Sequence, residues 1–244
     1  MDLRLYVIPG SHPCDCVAAA LELKHLPYER TDMVPVVHKL QGRLSYGAPT
    51  APGLKLDGER LYGSRRIMRR LDEIVADPPL YPSEEPLAAT VVEAERWGDE
   101  ILQPLARRLS WAVLKRSPRH MEGYSEGARL PVPISLARPS LPLLARAAAR
   151  LNGVSDEVTR SDLQQLPALL DRVDGWIADG VLGGEHPNAA DLQIGSSLRL
   201  LASLGDLRPQ LADRPAARLT GYFPPLAGST PSGVLPGAWV PAPA

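Results

Sequence analysis

Two cysteines, a histidine and a serine fall together near the start of the chain, in the run Ser11-His12-Pro13-Cys14-Asp15-Cys16. Such a group could be a dithiol redox pair, a metal site, a single activated thiol, or a hydroxyl serving a thiol from elsewhere. The spacing of Cys14, Val17, Ala18 and Leu21 predicts a helix, and Pro13 is tolerated in a helix's first turn. On a helix, positions i and i+2 point about 200° apart, so Cys14 and Cys16 can neither close a disulfide nor chelate one ion. The five histidines add no ligand spacing around the pair, and no metal is expected. Cys14 lies where a helix dipole lowers a thiol pKa, yet it shares a face with apolar residues, as core cysteines do. His12 reads as a partly exposed loop residue that could hydrogen-bond a ligand. Ser11 reads as a helix cap, or as the hydroxyl that does the work.

The elements that must hold this group are legible around it. Leu3 to Ile8 alternate as a strand does, the helix follows to "KHLP", and "YERTDM" reads as a second strand, parallel to the first through a right-handed crossover. The connector "VPVVHKLQGRLSYGAPTAPG" fits a short helix or a loop. "LKLDGERLY" predicts a hairpin, because Asp57-Gly58 suits a tight primed turn. Ser64 then reads as the N-cap of a helix with Ile67, Leu71, Ile74 and Val75 inward.

After the linker "DPPLYPSEEP" the pattern turns helical. Ala94, Trp97, Ile101, Leu105 and Leu109 mark a long helix, expected to kink at Pro104. Leu163, Leu166, Leu170, Val173 and Ile177 mark another. Asn188 and Asp191 form a capping-box pattern before Ile194, Leu198 and Leu201. The reading is an α/β domain (β-α-β, β-β-α) over 1–77, an all-α bundle over 86–207 and a Pro-rich tail over 208–244. The proline clusters near 117–140 and in the tail are expected as ordered loop or extended arm.

Composition narrows the class. The 244 residues are 44% hydrophobic and 23% charged with a formal net charge of -1, which gives no global pull toward nucleic acid or an anionic membrane. No apolar run reaches membrane-spanning length. Asp2 and Arg4 argue against a signal peptide, and two cysteines suit a reducing compartment. A soluble cytoplasmic protein is expected.

Four stretches in order resemble the glutathione transferase family over roughly residues 3 to 207. They are "SHPCDCVAAALELKHLPYE", "TAPGLKLDGERLYGS", the helical region after the Pro-rich linker, and "GGEHPNAADLQIGSSLRLL". The resemblance implies a thioredoxin-like first domain that binds glutathione as co-substrate and a helical second domain. It places Ser11 at the sulfur, where a hydroxyl donor at a helix N-terminus favours thiolate over thiol. It implies a cis Pro52 with Ala51 offering its backbone to the cysteinyl part. Ser64 and its neighbour Arg65 would take the γ-glutamyl carboxylate, and Lys39 with His38 the glycyl carboxylate. The family usually has an acid or amide before the serine; here Gly63 stands instead.

Arg65, Arg66, Arg69 and Arg70 oppose the dipole of their own helix, so an anion, an acidic surface or Arg69–Glu73 pairing must offset them. Trp111, Arg107 and Arg108 could line the site of a small-molecule electrophile. A homodimer is implied, through the third helix and the start of the second domain. Related outcomes are glutathione-dependent isomerisation or dehalogenation. Two alternatives stay open: a non-catalytic interaction module, and a Cys14-dependent glutathione oxidoreductase.

Overall fold

The computed structural model describes residues 1–35, 37–130 and 134–242. Strand β1 (Leu3–Val7) pairs in parallel with β2 (Glu29–Asp32) and antiparallel with β3 (Gly53–Leu56), which continues into β4 (Glu59–Tyr62). The sheet order is β2-β1-β3-β4. Leu5 and Leu54 face each other across the central pair and both are fully buried. The β3–β4 turn has positive φ at both Asp57 and Gly58, as the primed hairpin requires.

Helices α1 (His12–Leu23) and α3 (Ser64–Ile74) cover the sheet with Cys14, Cys16, Val17, Leu21, Ile67, Met68 and Leu71. The undecided connector contains a helix, α2 (His38–Tyr46). Lys24, buried at the end of α1, donates to the Asp72 carboxylate and to the carbonyls of Val75 and Pro78. A buried ammonium needs such full pairing, and here it ties α1, α3 and the linker together.

The second domain opens with α4 (Glu85–Trp97), a π turn (Gly98–Leu102) and α5 (Gln103–Arg116). The expected kink at Pro104 is therefore resolved differently. The register change precedes the proline, which falls in the first turn of α5, and a widened turn is how a helix absorbs such an interruption. Next come α6 (Leu141–Leu151), α7 (Asp156–Ala178), α8 (Ala189–Ser203) and the short α9 (Arg208–Leu211). The Asn188–Asp191 capping box forms as the spacing predicts. Helix α8 is buried along nearly its whole length and packs against α1, α4 and α5.

The first proline cluster forms short 3-10 turns at Pro118–Met121, Gly123–Ser125 and Ile134–Ser140, while 131–133 lie outside the described residues. The tail packs closely on the protein. Leu219 and Leu235 join the second domain's core, whereas Phe223 joins the first domain's. Asp206 accepts the amides of Gly233, Val234 and Leu235. Trp239 lies between the guanidinium groups of Arg116 and Arg160, each 5.1 Å from its ring.

Candidate functional site

Ser11 is the N-cap residue of α1 in extended backbone, but its side chain makes no capping hydrogen bond. It is half-buried and flanked by the turn that ends β1. Capping would have turned the hydroxyl toward the helix amides; here it faces the Cys14 sulfur instead.

Its neighbours behave otherwise. Cys14 is 1% exposed, and burial pushes its thiol up to about 12, although the Ser11 hydroxyl pulls the other way. A thiol so placed stays protonated near neutral pH and is a poor nucleophile. Cys16 is fully buried beside Met68, with its sulfur 3.6 Å from Gln193 Oε1, and both cysteines are free. His12 is not a partly exposed loop residue: it is the first residue of α1 and 3% exposed. Burial, and then the charge of Arg107, lower its pKa to about 3. Its ring sits against the Gln103 backbone, and Nε2 has no hydrogen-bond partner.

The second expected segment is held close to the third. The Ala51–Pro52 bond is cis, and the Pro52 carbonyl accepts the Gly63 amide at 3.1 Å. Half-buried Ala51 precedes it, next to the end of the central sheet.

At the start of α3 the arrangement departs from expectation. The N-cap is Gly63, with φ 81°, and Ser64 is the first helical residue. Only glycine adopts such backbone without strain, which accounts for the missing acid or amide. The Ser64 hydroxyl, 4% exposed, donates to Gln193 Oε1 on α8 at 2.8 Å. Gln193 in turn donates to Gln103 at 2.9 Å. Arg65 faces carboxylates of the protein itself, Glu95 at 3.5 Å and Glu100 at 3.7 Å.

Arg69 also faces Glu95, and the expected Arg69–Glu73 pair is replaced by Arg70 with Glu73 and Glu59. Glu95 is fully buried and accepts the Tyr81 hydroxyl at 2.7 Å. Neither Glu95, Tyr81 nor Gln193 stands out in the sequence as a site residue. The one available signal was a lone amide, Gln193, inside the apolar run of α8.

Lys39 is exposed on α2, and beside it His38 is half-buried with Nδ1 unpartnered. The three residues named for the electrophile separate clearly. Arg108 is committed to Asp162 through two hydrogen bonds of 2.7 Å. Trp111 packs with Tyr124 against Leu114, Met121 and Leu141. Arg107 is partly buried, with no ion pair or hydrogen bond among the described residues. Tyr124 also closes over the turn before Ser11. A Cβ at Gly10 would lie 2.9 Å from its Cβ, so only glycine fits there.

Among the described residues no group of three metal-ligating side chains comes together, and no helix is long and apolar enough to cross a membrane.

Comparison with known proteins gives the arrangement its class. Residues 5–79 match the family model "Glutathione S-transferase, N-terminal domain". No curated protein matches the sequence. Among solved structures, the β-etherase LigF from Sphingobium sp. strain SYK-6 is 19% identical over 92% of this chain and 89% of its own, with a TM-score of 0.60. A glutathione S-transferase from Sinorhizobium meliloti 1021 is 18% identical over 96% and 97%, with a TM-score of 0.57. A maleylacetoacetate isomerase from Anaeromyxobacter dehalogenans 2CP-1, with bound dicarboxyethyl glutathione and citrate in the active site, is 19% identical over 81% and 79%, with a TM-score of 0.50. The chain thus has the glutathione transferase fold. Its first domain belongs to the glutathione S-transferase N-terminal family.

Proposed function

We propose that the protein is a glutathione-dependent transferase in which Ser11 holds the glutathione sulfur for attack on a small electrophile. The supporting observation is the Ser11 hydroxyl itself, half-buried at the mouth of α1 and not engaged in capping. Glutathione, when bound, supplies the nucleophilic sulfur. Ser11 donates a hydrogen bond toward it, and the helix N-terminus adds positive potential, so that loss of the thiol proton is easier. Ala51 offers backbone groups beside Pro52, and Lys39 is free to meet a terminal carboxylate. Because the Ser64 hydroxyl donates its hydrogen bond to Gln193, the first-turn amides of α3 are what remains there for the γ-glutamyl carboxylate.

In this reading residues 1–77 bind glutathione, 86–207 supply the electrophile side and 208–244 brace the two. The molecule is cytoplasmic and pairs as a homodimer through α3 and the start of α4. The groove of about 510 Å³ lined by Glu59, Leu61, Arg65, Arg66, Arg69, Arg70 and Glu73 lies on that face.

Calorimetry with glutathione tests the proposal, and micromolar-to-millimolar binding is expected. Conjugation should be lost in Ser11→Ala and spared in Cys14→Ala; the reverse pattern would restore the thiol oxidoreductase. A second reading, a non-catalytic module, is favoured by Gly63 together with the engagement of Ser64 and Arg65 within the protein. Absence of any heat with glutathione would establish it.

A further inference from the structure

We infer that Arg107 is the receptor for an anionic group on the second substrate, so that the electrophile carries a carboxylate or an equivalent anion. The inference rests on the Ser11 reading above and adds the substrate class. The two residues that flank Ser11 both meet the second domain. Gly10 is covered by Tyr124, which packs on the same cluster as Trp111. His12 sits against the backbone of Gln103. Gln103, Arg107 and Trp111 are spaced i, i+4, i+8 on α5 and lie one above another at about 6 Å intervals. Arg107, one turn on from Gln103, is near enough to act on His12 and to feel Cys14, the residues that follow Ser11 on α1.

Charge matching singles out the same residue. Several arginines near the domain boundary are paired: Arg65 and Arg69 with Glu95, Arg108 with Asp162, and Arg199 with Asp15. Among the described residues Arg107, though partly buried, makes no ion pair. Asp99 attracts Arg107 from a distance, but its carboxylate accepts the Gln103 amide at 3.1 Å and closes no ion pair with the guanidinium. His12, close enough for Arg107 to depress its pKa, stays neutral near pH 7 and offers no counter-charge. Burial already disfavours the guanidinium's charge. A partly desolvated, planar, permanently charged fork is satisfied best by a carboxylate.

The test uses a matched pair of electrophiles, 4-chloro-3-nitrobenzoate and its methyl ester. In both, the glutathione sulfur forms a bond to the ring carbon, the carbon–chlorine bond breaks, chloride leaves and the thiol proton passes to solvent. Because the ester activates the ring more strongly than the carboxylate does, each kcat/KM is divided by the uncatalysed rate, and the wild type should show the larger enhancement for the carboxylate. Arg107→Met should cut that value about 10- to 100-fold, mainly through KM, and leave the ester within about twofold. Arg107→Lys should recover part of the loss. Calorimetry with unreactive 3-nitrobenzoate, without glutathione, should show binding to the wild type that Arg107→Met abolishes, with unchanged thermal melting as the fold control.

Equal rate enhancement for acid and ester by the wild type would overturn the assignment, as would an equal fall for both in Arg107→Met. The latter would mark Arg107 as a stabiliser of the sulfur. If neither electrophile reacts, nitrobenzoate decides alone: Arg107-dependent binding supports the anion receptor and leaves the failure with the Ser11 reading, while binding that is absent or indifferent to Arg107 overturns it.

Discussion

The two helix entrances of the first domain treat their serines in opposite ways. Ser11 makes no capping bond although it occupies an N-cap, whereas Ser64 donates a hydrogen bond to Gln193, a residue 129 positions away. Sequence position alone would have ranked them alike, since each opens a helix after a strand. What separates them is the surface opposite. Ser11 lies in the loop crossed by Tyr124 and left half open, while Ser64 is pressed against α8 and becomes part of the domain boundary. A serine at a helix entrance is taken out of reach of a ligand where the neighbouring domain engages its hydroxyl, as α8 does at Ser64.

The largest expected effect breaks or upholds this contrast directly. Ser11→Ala should lower kcat/KM about 100- to 1000-fold, as loss of one donor to a developing anion does, while the glutathione Kd changes little. Ser64→Ala should do the reverse. Turnover should stay within a few-fold, but Gln193 loses a buried partner, costing about 1–3 kcal/mol, read as a melting shift of roughly 2–10 °C. Equal loss of turnover in the two variants would erase the distinction.

Gly63→Gln sharpens the comparison at the engaged end. It supplies the amide the family expects, at a strain of about 1–3 kcal/mol from the positive φ; a lower Tm with tighter glutathione binding is the expected pair of results. A further effect concerns pH. The His12 pKa is about 3 in the folded chain, against about 6.5 in an unfolded one. The folded state binds that proton less tightly, so stability is fully present above pH 6.5 and declines as pH falls from there toward 3. His12→Gln should flatten that limb in denaturant titrations between pH 4 and 7. Lys39→Ala, at an exposed site, should weaken glutathione binding only a few-fold, and less at high salt.

Local chemistry made much of this molecule readable. Alternation and helical spacing located β1, α1 and the hairpin, and the Asp57-Gly58 turn and Asn188–Asp191 box formed where their residue types demanded. The resemblance to a known family, not local chemistry, named Ser11, Ala51, Pro52 and Lys39, and it could not say which polar groups the fold engages. Ser64–Gln193 and Arg65–Glu95 join residues far apart in sequence, and neither partner carries a local signature. His12 was misjudged for that reason: its burial comes from α5, not from its own loop. The helix α6 was hidden because the prolines before it read as a break, although Pro142 lies in its first turn, where a missing amide proton costs nothing.

The placement of Phe223 has a consequence for synthesis. It completes the core of a domain whose last helix ends at Ile74, so about 150 residues must follow before that core is filled, roughly ten to thirty seconds of translation. Until then a nascent chain displays an apolar notch, also awaiting Ala189 and Leu192, which is a binding surface for chaperones and a hazard for aggregation.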